Sequence, residues 1–139
     1  MVYVNRHEMD KKDLASIFLQ FDAVLGTLNQ AGVSTLFNEL LGHEERITLA
    51  KRLVAIILLH EGMSEYKTAR VLKLSPTTTG KLAHELSLGT YIGTIALLRK
   101  NKRTYGTILN TIDSVLHLDG ILPHYCGLER YRNLNKYSS

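Results

Sequence analysis

The sequence predicts an all-α protein built from several helices. Apolar residues recur at three- and four-residue steps along most of the chain. Glycines follow these runs at Gly32, Gly42, Gly62 and Gly120, and glycine is the residue that most readily closes a helix. No alternating pattern is long enough to propose a sheet. A length of 139 residues fits one domain, or one domain with an extension.

Residues 1–9 read as a loose arm. The spacing of Leu14, Ile17, Phe18, Phe21, Val24, Leu25 and Leu28 predicts a helix from about Asp10 to Gln30 with one apolar stripe, stopped by Gly32. That stripe suits packing within one subunit or against a second. Ser34 can cap a short helix through Leu41, which Gly42 ends. The next helix should run from about His43 to Glu61, with Glu44 and Glu45 complementing the positive end of its dipole. Its segment Leu53–Leu59 is apolar on every side and should be buried all round.

Met63 to Leu86 reads as a helix-turn-helix. Ser64 can cap the first helix, and Ser75-Pro76 opens the second, proline losing only an N–H that has no helical partner. Leu72-Lys73-Leu74 gives a connector of about three residues, the length the motif needs. Lys73 occupies a place where glycine would more easily take a positive φ. Ala69 should lie at the crossing, with Leu72, Leu74, Leu82 and Leu86 between the helices. The opposite face of the second helix carries Thr77, Thr78, Lys81 and His84. Their donors suit base edges, and an ordinary helical hairpin would show the same features without that use. Gly80 costs that helix roughly 1 kcal/mol against alanine. It either permits a close approach or is simply tolerated.

After Leu88, Thr90 can cap a helix to about Lys100 with Ile92, Ile95, Ala96 and Leu98 inward. The run Arg99-Lys100-Asn101-Lys102-Arg103 carries four cations in five residues. It is either a solvated face or a phosphate-binding patch. A last helix, about Thr104 to Leu118, places Tyr105, Ile108, Leu109, Ile112, Val115 and Leu116 at helical spacing. The tail mixes Arg130 and Arg132 with Tyr131 and Tyr137. Such a mixture can stack on nucleic acid, and it equally suits a docked tail.

A net charge of +4 and a pI near 9.2 fit a polyanionic partner without requiring one. The single cysteine, Cys126, excludes an intramolecular disulfide and fits a reducing compartment. The N-terminus has no apolar stretch of signal-peptide length, and no run suits a membrane span, so a cytoplasmic location is expected. His117, Asp119, His124 and Cys126 are metal-ligand types, but their spacing matches no zinc pattern. Nothing pairs a base with a nucleophile, and there is no phosphate-binding glycine loop. Neither an enzyme nor a cofactor is expected.

Residues 39–86 resemble the tryptophan repressor superfamily of bacterial DNA-binding proteins. The matching pieces are Leu40-Leu41, Glu44-Glu45-Arg46, Leu49, Lys51-Arg52, the apolar run to Leu59, Glu61-Gly62-Met63-Ser64, and Ser75 to Leu82. The resemblance implies a multi-helix fold with a helix-turn-helix, an intertwined homodimer, and a sequence-specific transcriptional regulator of double-stranded DNA. Residues 1–88 would form the dimerisation and DNA-binding domain, and 89–139 a helical extension and tail. Thr77, Thr78, Lys81 and His84 would read bases. Arg46, Lys67, Arg70, Lys73, Lys100, Lys102 and Arg103 would contact phosphates. The competing class is a helical protein–protein interaction module that keeps the architecture without DNA binding. In tryptophan-binding members a threonine opens the Glu-Glu-Arg helix, where this chain has Gly42. Two arginines flank the indole, where it has Arg52 and Lys81. A glycine follows the second, where it has Leu82, whose side chain would crowd the indole. Tryptophan is therefore not the expected effector.

Overall fold

The computed structural model describes residues 8–118. Among the described residues the chain is all-helical, with no strand. The helices are α1 (Lys11–Gly26), α2 (Gln30–Leu40), α3 (His43–His60), α4 (Glu65–Leu72), α5 (Pro76–Ser87), α6 (Ile92–Arg99) and α7 (Lys102–Val115). No helix among the described residues is long and apolar enough to cross a membrane. The chain divides into two compact units, Met1–Leu49 and Ala50–Ser139. The division falls inside α3. Tyr105, Leu109 and Ile112 of α7 share one buried cluster with Ala55, Leu58, Leu72 and Leu82. They complete that core.

In the first unit the expected break between helices moves. α1 stops at Gly26, where the Thr27 hydroxyl and N–H both bond back to the Val24 carbonyl, at 2.7 and 3.1 Å. α2 starts at Gln30, five residues earlier than a cap at Ser34 would place it. Asn29 takes the capping role instead, its side chain accepting from the Gly32 N–H at 2.8 Å. Gly32, expected as a stop, thus lies in the first turn of α2, where its N–H is one of the orphan donors a cap satisfies. Neither α1 nor α2 buries a single residue. The stripe on α1 lies open along its length, with Ile17 48%, Phe18 58% and Val24 49% exposed.

α3 begins as the sequence indicated. Glu45 reaches back to accept from the Gly42 N–H at 3.1 Å, the carboxylate half of a capping box. Ala55 to Leu58 are four consecutive buried residues, so this segment is enclosed on every side. The enclosure is shorter than Leu53–Leu59, since Leu53 is 41% exposed. Gly62 closes the helix at φ 94°, with its N–H on Leu59 and that of Met63 on Leu58. This double closure puts Met63 into the core.

α6 starts at Ile92 after Tyr91, with no side-chain cap, so Thr90 does not take the capping role expected of it. Asn101 accepts from the Thr104 N–H at 3.1 Å, so α7 starts at Lys102 and takes in part of the basic run. Ile95 is the buried residue of α6, with Leu98 half-buried. Ile92 and Ala96, expected inward, are exposed, Ile92 by 71%. A helix of two turns buries one narrow stripe, and Ile95 holds its centre. Val115 is likewise outside, because α7 turns Tyr105, Leu109 and Ile112 inward.

α4 ends by the same double closure as α3, but without glycine. Lys73 sits at φ 54°, ψ 48°, its N–H toward Arg70 and that of Leu74 on Ala69 at 2.9 Å. A left-handed conformation costs an L-residue about 1–2 kcal/mol, and part of that returns as lower chain entropy relative to glycine. Lys73→Gly should therefore stabilise the fold by about 0.5–1 kcal/mol. The urea midpoint measures it, and an unchanged or lowered midpoint would contradict the strain reading.

Candidate nucleic-acid interface

The site is built on α4 and α5, which pack on each other within the second unit. Each has a serine cap. Ser64 accepts from the Lys67 N–H at 3.2 Å, and Ser75 from the Thr78 N–H at 3.1 Å with Pro76 in the first turn. Only Lys73, Leu74 and Ser75 separate the helices. Ala69 is buried, as expected at a close approach, and Leu72 and Leu82 enter the core. Leu74 packs against that cluster, and Leu86 is half-buried.

The inward face of α5 is Thr79 and Leu82. Thr79 was not foreseen as inward-facing. It is fully buried, and its hydroxyl donates to the Ser75 carbonyl at 3.1 Å, so burial leaves that donor satisfied. With Thr79 and Leu82 inward, Thr77, Thr78, Lys81 and His84 all lie exposed. Residues 77, 81 and 84 follow the spacing of one helix face. Thr78 shares its hydroxyl with Ser75 at 2.8 Å, which leaves it fewer free hydrogen-bond positions than Thr77. Gly80 turns toward α4. A methyl there would stand 3.7 Å from the Glu65 carboxylate, ordinary contact distance, so the glycine is tolerated and not required.

The candidate phosphate contacts fall in three places. Lys67, Arg70 and Lys73 are exposed on α4 and its closing turn. Lys100, Lys102 and Arg103 are exposed at the junction of α6 and α7. Lys102 and Arg103 occupy the first turn of α7, where the helix dipole disfavours cations. Arg46 is half-buried on the part of α3 that belongs to the first unit.

Two hollows flank α5. One, of about 480 Å³, lies beside Tyr66, Arg70, Leu74 and Pro76. Tyr66 is 73% exposed and was missed by sequence reasoning, since a lone tyrosine in a polar stretch carries no pattern. The other, of about 310 Å³, brings Arg52 and Lys81 together with Glu85 and Tyr91. Leu82 lines this cleft without closing it. Glu85 and Tyr91 were also missed. The four-residue spacing of Lys81 and Glu85 was a visible signal for the first, but nothing local pointed to Tyr91. His117 is exposed at φ 52°, while Asp119, His124, Cys126 and the tail with Arg130, Tyr131, Arg132 and Tyr137 lie outside the described residues, as do residues 1–7 of the N-terminal arm. Among the described residues no group of three His, Cys, Asp or Glu side chains is placed to hold a metal.

Comparison with protein-family models, with curated proteins and with solved structures finds no match to this chain.

Proposed function

We propose that this protein is a sequence-specific DNA-binding transcriptional regulator of the tryptophan repressor superfamily, acting as a homodimer in the cytoplasm. On this reading α4 and α5 form its helix-turn-helix, with α5 entering the major groove. One observation carries it. A helix capped by Ser75-Pro76 presents Thr77, Thr78, Lys81 and His84 to solvent, three residues after a helix bearing Lys67 and Arg70. Hydroxyl, ammonium and imidazole groups at that spacing suit base edges, while the flanking cations suit phosphates, which position the protein without reading sequence.

Selection of bound DNA from a random duplex pool tests the proposal. An enriched palindrome is the expected result, with half-sites about one helical turn apart. Absence of any enriched sequence would favour a helical interaction module instead.

The regulator is not expected to respond to tryptophan. Lys81 keeps a charge but lacks the planar guanidinium that stacks on an indole, and Leu82 brings a side chain where glycine would leave room. Calorimetry with millimolar L-tryptophan should show no saturable heat. Saturable binding would mean that the Arg52–Lys81 cleft admits the indole despite Leu82.

A further inference from the structure

Lys81 is the most exposed charged group on the α5 face, with a side chain 77% open to solvent. One turn along, Glu85 places Oε1 4.0 Å from the Lys81 ammonium, and its side chain is only 29% exposed. The other carboxylate oxygen, Oε2, accepts a hydrogen bond from the Tyr91 hydroxyl. Tyr91 precedes α6 and is packed against the buried cluster. The order is thus a ring fixed by packing, a carboxylate fixed by that ring, and an ammonium facing the carboxylate.

An exposed ion pair between neighbours on a helix contributes little, because both long side chains must give up rotamer freedom. Tyr91 changes that balance by ordering Glu85 whether or not Lys81 is present. The hydrogen bond to Glu85, with burial and the carboxylate charge, raises the Tyr91 phenol above its ordinary pKa, while Arg52 acts in the opposite direction. The phenol therefore remains a donor through the neutral range. The carboxylate has a second effect. A negative charge beside α5 repels DNA phosphate, so it biases Lys81 away from the backbone and toward base edges.

We propose that Tyr91 and Glu85 are positioning residues that set the direction of Lys81 and thereby the base preference of α5. The proposal rests on the DNA-reading function above. A merely structural role for the pair would alter stability, or affinity for all sequences alike. A positioning role alters preference at one base position.

Duplex selection with the full chain, its Y91F and E85Q variants, K81A, and the K81A/Y91F double variant decides it. The wild type should prefer one base by about tenfold at the position read by Lys81. Y91F and E85Q should each reduce that preference to under about twofold at the same position that K81A flattens. Affinity of E85Q for random-sequence duplex should not fall, since a repulsive charge has been removed. The double variant should match K81A, because Tyr91 acts only through Lys81. An unchanged preference in Y91F overturns the proposal. So does an equal loss at every position, or a K81A variant that flattens none. If the wild type enriches no sequence, the DNA-reading function fails and takes this proposal with it. That outcome is distinct from an enriching wild type that Y91F reproduces.

Discussion

Raising the salt concentration from about 50 to about 200 mM should weaken binding of the selected duplex by about a thousandfold or more. The expectation follows from the exposed cations Lys67, Arg70, Lys73, Lys100, Lys102 and Arg103. Each phosphate neutralised by a cation releases condensed counterions, and the logarithm of affinity then falls by about 0.9 per contact for each decade of salt. A dimer doubles the number of cations available, so 6–10 contacts is a modest demand and gives roughly that loss. Removing Lys67 or Arg70 should lower the slope by about one per contact removed and weaken all sequences alike. Lys81→Ala should instead cost about 1–3 kcal/mol and relax preference at one position. A flat salt dependence would sink the regulator reading, because phosphate contacts by these cations must release counterions.

Phe18→Glu should convert a dimer into monomers and lower affinity for the palindrome by about a hundredfold. Phe18 stands 58% exposed in the middle of the α1 stripe, between Leu14 and Ile17 on one side and Phe21 and Val24 on the other. An amphipathic helix normally covers its apolar stripe, since burial returns about 25 cal/mol for each Å² of apolar surface. Neither α1 nor α2 buries a residue within its own unit. A second copy is the cover we propose. A carboxylate placed in that interface without a partner costs several kcal/mol, and twofold symmetry places two of them there. Sedimentation at micromolar concentration should report two wild-type chains and one Phe18→Glu chain. A monomeric wild type, or a variant that stays dimeric, removes the basis for a symmetric DNA site. The hundredfold loss reflects half-sites that no longer bind as one linked unit.

Local chemistry made much of this legible in advance. Ser64 and Ser75 cap α4 and α5 because a serine hydroxyl satisfies orphan N–H groups within its own turn, which needs no distant partner. Proline after Ser75, glycine at position 62, and the exposed row from Thr77 to His84 are equally local, depending on backbone preference and helical period. The all-α class follows from the same periods. Sequence reasoning placed the cap of α2 at Ser34 and did not consider Asn29, which takes that role once α1 closes at Thr27.

Only the tertiary structure decided what faces inward beyond a single stripe. Ile92, Ala96 and Val115 have the composition of core residues but fall off the lines along which α6 and α7 bury Ile95, Leu109 and Ile112. Burial is a property of the neighbour as much as of the residue. For the same reason the core of the second unit includes α7, which starts 15 residues after α5 ends. Tyr91 belongs to the same class. A tyrosine in a turn carries no signal that it will hold Glu85, because that hydrogen bond exists only once packing has brought its ring back over α5. Helical period and capping act within a few residues and can be read along the chain. Partner choice across the core depends on the joint fit of α3, α4, α5 and α7, which no one segment encodes by itself.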